Sequence, residues 1–211
     1  MTIGSSIRAL CVPAFFGMIA SVGGFPSPGF AQTNTLRDAA AEIEDMVAQG
    51  RDADAVAAAR TFMRQVTQAA GFGVTNAHLT NSPATGYGIY EARGDNRYQP
   101  GEPIFAYVEV YGFSLTPQAT GANQLLFDVS FTLLAPSGEQ MTDAMIPMGE
   151  IRLDSYSEPV DGYFHLTYRV TGITGAYDLR TVVTDRESDQ VSEFTLPVVF
   201  EPVAAAPQAG K

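Results

Sequence analysis

Residues 125–134 have the sequence LLFDVSFTLL, in which large apolar and polar side chains alternate. Successive side chains of an extended chain point to opposite faces, so one face here carries only apolar groups. Its members are Phe127, Val129, Phe131 and Leu133. Burial of four such side chains contributes roughly 6–12 kcal/mol relative to exposure, which is as large as the net stability of a whole domain. The alternation therefore predicts a β-strand with one face in a protein core.

Two further stretches show the same two-residue alternation. Their apolar rows are Phe164, Leu166, Tyr168 and Val170, and Phe194, Leu196, Val198 and Phe200. Because no helical period interrupts residues 74–200, the three rows have to meet between packed sheets. The predicted fold class is mainly β, an immunoglobulin/fibronectin-like antiparallel β-sandwich preceded by a short helical hairpin.

Turn residues divide this region into candidate strands. The predicted ranges are 74–80, 88–93, 104–111, 125–134, 140–146, 163–170, 177–184 and 191–200, with a further short piece near 151–156. The segment 175–179, GAYDL, resembles the late strands of immunoglobulin-like or fibronectin-like domains. In those domains a tyrosine just after a glycine turn packs at the corner of a sheet. The same position is therefore expected for Tyr177.

The segment 32–73 has the apolar period of two short helices. Thr35 and Asp38 are predicted to cap the first helix, Gly50 ends it, and Asp52 is the predicted cap of the second. The apolar faces are Leu36, Ala39, Ala40, Ile43, Met46 and Val47, and then Val56, Ala59, Met63, Val66 and Ala70. A hairpin of roughly 35 residues cannot stand alone. We expect it to dock on the following domain, on a second copy or on another protein.

The first 31 residues are predicted to be a cleavable signal peptide. Arg8 precedes the apolar run 9–22, which is shorter than the roughly 20 residues that cross a bilayer as a helix. Small residues precede a candidate cleavage site before Gln32, and an uncleaved anchor is the alternative. Removal takes away Cys11, the only cysteine, so the fold has to be stable without a disulfide. The predicted organisation is signal peptide 1–31, helical hairpin 32–73, β-sandwich 74–200 and disordered tail 201–211, in a periplasmic or secreted protein.

The formal net charge is −11. A field of this sign repels phosphate backbones, so we expect no nucleic-acid partner, and no membrane span after signal removal. His78 and His165 are too few and too distant in sequence for a zinc site, which needs three or four ligands. We therefore predict no catalytic residue, no metal and no cofactor. Paired carboxylates for glycoside cleavage stay open as an alternative, with Glu102 and Glu109 as the candidates.

Residues 88–96, GIYEARGDN, are followed by Tyr98, by PGEPI at 100–104 and by YVE at 107–109. This combination resembles a group of uncharacterised bacterial periplasmic proteins with a helical lead-in and an immunoglobulin-like β-sandwich. In that group the domain contains this Gly-Glu-Pro turn and closes with a Gly-x-Tyr-x-Leu strand. The resemblance covers most of the mature chain by pattern, and it is specific over residues 88–109. It implies architecture and compartment, and no activity.

Tyrosines are concentrated in residues 87–111, which hold five of the nine in the chain. In the predicted strand 104–111, the aliphatic side chains share one face, while Tyr107, Glu109 and Tyr111 share the other. If the aliphatic face is core, the tyrosine face looks outward and suits a protein interface or sugar stacking. The candidate binding residues are Tyr107, Glu109 and Tyr111, with Arg93 as a polar anchor. The alternative is that the helical hairpin covers this face.

These features favour a non-enzymatic periplasmic or secreted binding or protein-interaction module. Its partner is expected to be an envelope protein or a glycan. The alternatives are a carbohydrate-binding module, against which the absence of Trp counts, and a structural cell-envelope protein. A glycoside or peptidoglycan hydrolase ranks below them. The sequence does not fix the oligomeric state.

Overall fold

The computed structural model describes residues 35–202. The predicted signal peptide and most of the predicted tail lie outside this range. Two helices come first, α1 (Leu36–Ala48) and α2 (Asp52–Ala70). The strands are β1 (Gly73–Thr80), β2 (Arg97–Tyr98), β3 (Ile104–Tyr111), β4 (Thr116–Pro117), β5 (Asn123–Leu134), β6 (Ile146–Ser155), β7 (Asp161–Tyr168), β8 (Gly175–Asp185) and β9 (Val191–Phe200). Within the described range, no helix is both long enough and apolar enough to cross a membrane.

The strands form two sheets. The first has three antiparallel strands in the order β1-β3-β7. The second follows the order β2-β9-β8-β5-β4, and β6 pairs with the other side of β5. Rings from both sheets meet between them, with the centroid of Phe127 5.7 Å from that of Phe164 and the centroid of Phe131 5.2 Å from that of Tyr168. The chain is therefore an immunoglobulin/fibronectin-like β-sandwich with a preceding helical hairpin, as the alternation predicts.

The predicted apolar rows form the interior. All four members of the row in β5 are buried, and most members of the rows in β7 and β9 are buried too. The central strand of the first sheet adds its aliphatic face, which is fully buried and consists of Ile104, Ala106, Val108 and Val110. At the corner of the second sheet, the Tyr177 hydroxyl donates to the carbonyl oxygen of Thr174 at 3.2 Å. Its ring lies 6.0 Å from that of Phe200, as the resemblance to late strands implies.

Two of the predicted strands are wrong. Residues 88–93 form a loop, because Gly88 adopts a left-handed backbone (φ +64°) that interrupts an extended chain. Residues 140–145 form turns that fold over the polar side of β5, and the strand begins only at Ile146. There the Thr142 hydroxyl lies 2.9 Å from the hydroxyl of Thr132, which is fully buried. The polar face of β5 is therefore partly covered.

The hairpin buries little of its own apolar surface. The capping box of α1 forms as predicted between Thr35 and Asp38, whereas α2 begins one residue earlier than expected, with Arg51 at its N-cap. Ala55 is the one buried residue of the two described helices. Four large side chains of the hairpin remain between 42% and 58% exposed, namely Leu36, Val47, Val56 and Met63. The hairpin is therefore attached to the sandwich without being covered by it.

Two buried tyrosines differ in the environment of their hydroxyls. Tyr98 in β2 is fully buried, and its hydroxyl has no hydrogen-bond partner among the described residues. Tyr168 in β7 is also fully buried, and its hydroxyl lies 2.8 Å from that of Thr181 in the other sheet. Desolvation of an unpaired hydroxyl opposes folding, whereas a paired one is neutral to favourable.

We expect Tyr98→Phe and Tyr168→Phe to act in opposite directions. Tyr98→Phe keeps the ring and removes an unpaired hydroxyl, so the free energy of unfolding should stay level or rise by up to about 1 kcal/mol. Tyr168→Phe leaves the Thr181 hydroxyl buried and unpaired, and should lower that free energy by about 1–3 kcal/mol. Urea unfolding of the two variants measures both values. A greater loss at Tyr98 than at Tyr168 would contradict this assignment.

Candidate functional site

The outer face of the β1-β3-β7 sheet carries the predicted tyrosine cluster. The segment 81–96, which we call the tyrosine loop, folds across this face. The ring of Tyr90 in the loop stacks on the ring of Tyr107 in β3, with their centroids 4.4 Å apart. The backbone N–H of Gly88 donates to the Tyr107 hydroxyl at 2.8 Å. The loop is therefore held to the sheet by stacking and by a hydrogen bond to the same tyrosine.

Tyr107 lies on the outer face of the sheet as predicted, but it is fully buried, so the expectation that it is exposed for binding is wrong. The cover is also different from the alternative considered, because the tyrosine loop rather than the helical hairpin lies over it. Tyr163 of β7 packs beside it, with the ring centroids 5.7 Å apart. Burial between Tyr90 and Tyr163 leaves Tyr107 no free ring face for a ligand. Its hydroxyl instead donates to Glu109 Oε1 at 2.6 Å and fixes that carboxylate.

Strand register brings a second carboxylate beside Glu109. In the antiparallel pairing of β3 with β7, Glu109 lies opposite Tyr163 and Tyr111 lies opposite Asp161. The four side chains therefore share one face, with Glu109 and Asp161 on a diagonal. The Tyr87 hydroxyl, from the tyrosine loop, donates to Asp161 Oδ2 at 3.0 Å. Both carboxylates thus accept a hydrogen bond from a tyrosine hydroxyl.

Helix α2 closes this face into a cleft of about 470 Å³. Its lining residues are Met63, Val66, Thr67, Ala70, Thr75, Tyr87, Glu109, Tyr111, Val160 and Asp161. The helix contributes apolar side chains, and the sheet contributes the carboxylates. Glu109 is half-buried and Asp161 is exposed, so negative charge is present at two depths. We refer to this space as the helix–sheet cleft.

The C-terminal end of α2 is fixed against the sandwich by close backbone contacts. A Cβ at Gly112, which has φ +65°, would collide with the carbonyl oxygen of Gly71 and come within 2.8 Å of that of Thr67. The backbone N–H of Phe72, just after the helix, donates to Gln190 Oε1 at 2.8 Å. Arg64 of α2 forms an ion pair with Glu158. These contacts set the width of the helix–sheet cleft.

The tyrosine hydroxyls around the cleft are held in their protonated, donating form. Burial, and then the hydrogen bond to Asp161, raise the pKa of Tyr87 to about 12. Burial, and then the hydrogen bond to Glu109, raise the pKa of Tyr107 above its usual value. No Lys or Arg lines the cleft, and neither Glu109 nor Asp161 belongs to an ion pair within residues 35–202. The cleft therefore carries fixed negative charge.

Arg93 is not part of the cleft. Its guanidinium carbon lies 4.1 Å from the ring centroid of Tyr98, and Nη1 donates to Glu102 Oε1 at 2.8 Å. A further bond joins Nε to Asp95 Oδ1 at 3.2 Å. Glu102 Oε2 accepts from the backbone N–H of Gln99, so Arg93 braces the turn that precedes β3. The structure therefore separates Arg93 from Glu109 and Tyr111.

Strand pairing also determines where the other sequence candidates, Glu102, His78 and His165, lie. Glu102 precedes β3 and pairs with Arg93, so the carboxylate beside Glu109 is Asp161 rather than Glu102. His78 and His165 are exposed and face Tyr107 from the two flanking strands. Within the described residues, no group of three His, Cys, Asp or Glu side chains is arranged to hold a metal ion.

Sequence reasoning missed Asp161, Tyr163 and Met63 as parts of the site. Asp161 is not among the sequence candidates, although it is the first residue of β7. The available signal was the pairing of β7 with β3, which places Asp161 and Tyr163 on the same face as Glu109. The contribution of Met63 depends on where α2 docks, and no pattern in the sequence specifies that contact.

Comparison with known proteins leaves the function open. No known family and no curated protein matches the chain. Among solved structures, it is similar to an alkylpurine DNA glycosylase from Pseudomonas fluorescens (8% identity, 62% of this chain and 30% of that one, TM-score 0.34). It is also similar to the sporulation control protein Spo0M from Bacillus subtilis (14% identity, 63% of this chain and 50% of that one, TM-score 0.32). It is similar as well to an immunoglobulin-like protein from Pseudomonas aeruginosa, with 10% identity over 62% of this chain and 96% of that one and a TM-score of 0.26.

This chain spans half or less of the first two of these structures. At such TM-scores none of the three likenesses bears on what the helix–sheet cleft does.

Alkaline titration tests the tyrosine environments. Folding raises the pKa of Tyr87 and of Tyr98 to about 12, so the folded chain keeps both protons where the unfolded chain, with an ordinary value near 10, has lost them. The stability that these protons contribute is therefore complete below about pH 10. It is lost as the pH rises toward about 12.

We expect the tyrosinate absorbance of the folded chain to develop in two steps, with a late step that is reduced by Tyr87→Phe. The same titration in guanidinium chloride provides the unfolded reference. If all nine tyrosines of the folded chain ionised together near pH 10, the environments described here would be wrong.

Proposed function

We propose that this chain is a non-enzymatic binding module of the cell envelope, periplasmic or secreted, which holds a protein partner in the helix–sheet cleft. The supporting observation is the cleft itself, where an apolar helix face meets two fixed carboxylates on a rigid sheet. The envelope location is inferred from the predicted signal peptide, residues 1–31.

Binding is favoured over catalysis by the hydrogen bonds of the two carboxylates. A general acid or base has to gain and lose a proton at its working oxygen. Here the hydroxyls of Tyr107 and Tyr87 donate to one oxygen each of Glu109 and Asp161, so each carboxylate already accepts a hydrogen bond and is held in one orientation. Such an arrangement suits recognition of a ligand by oriented charge.

A protein partner is favoured over a glycan by the exposed apolar groups. Met63 and Tyr87 stand at the mouth of the cleft with 46% and 47% of their surface exposed. Leu36, Val47 and Val56 of the hairpin are exposed as well. Tyr and Met are enriched in the cores of protein interfaces, whereas Tyr107, the ring at the centre of the tyrosine cluster, is buried and cannot serve as a sugar platform.

The test is site-specific photocrosslinking of the full chain in the cells that produce it. With p-benzoylphenylalanine at Met63, we expect one defined adduct, because the probe stands at the mouth of the cleft. The matched control places the same probe at Thr195, which is exposed on β9 of the other sheet. Val66→Trp, which fills the cleft from the helix side, should abolish the Met63 adduct without lowering the melting temperature by more than a few degrees.

Equal adducts at Met63 and Thr195, or an adduct unaffected by Val66→Trp, would overturn the proposal. Turnover of a glycan substrate that disappears in Glu109→Gln would establish the hydrolase alternative instead.

A further inference from the structure

Resting on the proposed function, we infer that the helix–sheet cleft recognises a cationic side chain of the partner, a lysine or an arginine. Glu109 and Asp161 provide the counter-charge, and the apolar residues of α2 with the rings of Tyr87 and Tyr111 surround the aliphatic stem. The inference concerns the chemistry of the ligand, which the proposed function leaves open.

Within the described residues, neither Glu109 nor Asp161 forms an ion pair with an arginine. Elsewhere in the described structure arginines lie beside acidic residues, as in the pairs Arg93–Glu102 and Arg180–Glu193. Arg60 and Arg64 of α2 line a neighbouring space with Asp161, and the ion pair of Arg64 is with Glu158. Within residues 35–202 the donors to Glu109 and Asp161 are tyrosine hydroxyls and not cations. A cation from another molecule can therefore pair with both carboxylates.

The position of Glu109 is fixed before any ligand arrives. Tyr107, whose side chain is fully buried, directs its hydroxyl at Oε1, and this hydroxyl also accepts from the Gly88 N–H. Immobilised hydrogen bonds of this kind lower the entropic cost of binding. The carboxylate is thus part of a built site, with a buried tyrosine beneath it and a cleft of about 470 Å³ in front of it.

The walls match the rest of a lysine or arginine side chain. Met63, Val66 and Ala70 offer an apolar surface for the methylene stem. The rings of Tyr87 and Tyr111 line the same space and can contact the cationic head through their π faces. The net charge of −11 attracts a cationic partner from a distance. The exposed apolar surface of the hairpin favours a side chain carried by a protein over a free amine.

The experiment uses the full mature chain and four probes, followed by NMR titration of the cleft residues. The probes are a capped pentapeptide with a central lysine, the same peptide with arginine, the same peptide with norleucine, and spermidine. We expect the lysine and arginine peptides to bind at least about tenfold more tightly than the norleucine peptide, because a charge-assisted hydrogen bond is lost in the latter. Added salt should weaken both cationic peptides.

Charge-removing variants test the two carboxylates. Glu109→Gln should weaken the lysine peptide on the order of tenfold, and Asp161→Asn should weaken it less, because its exposed charge is screened by water. The matched control is Asp178→Asn, which removes an equal charge from an exposed position on β8 and should leave binding unchanged.

Equal binding of the norleucine peptide, binding of spermidine without the peptides, or insensitivity to Glu109→Gln would each overturn the inference. If one of these results is obtained and the crosslink at Met63 still forms, the proposed binding function stands and the ligand is of another kind. If the crosslink at Met63 is absent too, both proposals fail.

Discussion

Strand β3 presents an aliphatic face and a tyrosine–glutamate face, and one register alone suits both of its surroundings. Its inner row from Ile104 to Val110 is fully buried against the second sheet. A slip by one residue would turn that row to the outer face and drive Glu109 into the core, where an unpaired carboxylate costs several kcal/mol. The same register sets Tyr107 beneath the tyrosine loop and Glu109 on a diagonal to Asp161. The core therefore fixes the geometry of the site.

This coupling explains which features could be predicted from the sequence. Rows such as Phe127, Val129, Phe131 and Leu133 specify burial through local alternation, and the capping box of α1 is encoded in four consecutive residues. Glycine turns carry less information, so the prediction of a strand at residues 88–93 of the tyrosine loop is wrong. The burial of Thr132 and the role of Asp161 depend on which segments meet in space. A pattern within one strand does not contain that information.

The most specific sequence motif and the candidate site turn out to be neighbours with different tasks. Within residues 88–109, Arg93 stacks on Tyr98 and bonds to Glu102, which stabilises the turn that leads into β3. Tyr90, Tyr107 and Glu109 belong instead to the outer face of the sheet. The motif thus contains residues that stabilise the turn before β3 and residues that line or support the helix–sheet cleft. A resemblance based on this motif therefore says more about the architecture than about the ligand.

The helix–sheet cleft joins a rigid component to one that is fixed at a single end. Sheet residues are locked by the stack of Tyr90, Tyr107 and Tyr163, whereas α2 is held at its C-terminal end by the contact between Gly71 and Gly112. Large apolar side chains of the hairpin, such as Val47 and Val56, remain exposed. A partner that reaches both components would bury this apolar surface and pair with the fixed charges. Charge would then determine the orientation of the partner, and apolar burial on the hairpin would supply most of the affinity.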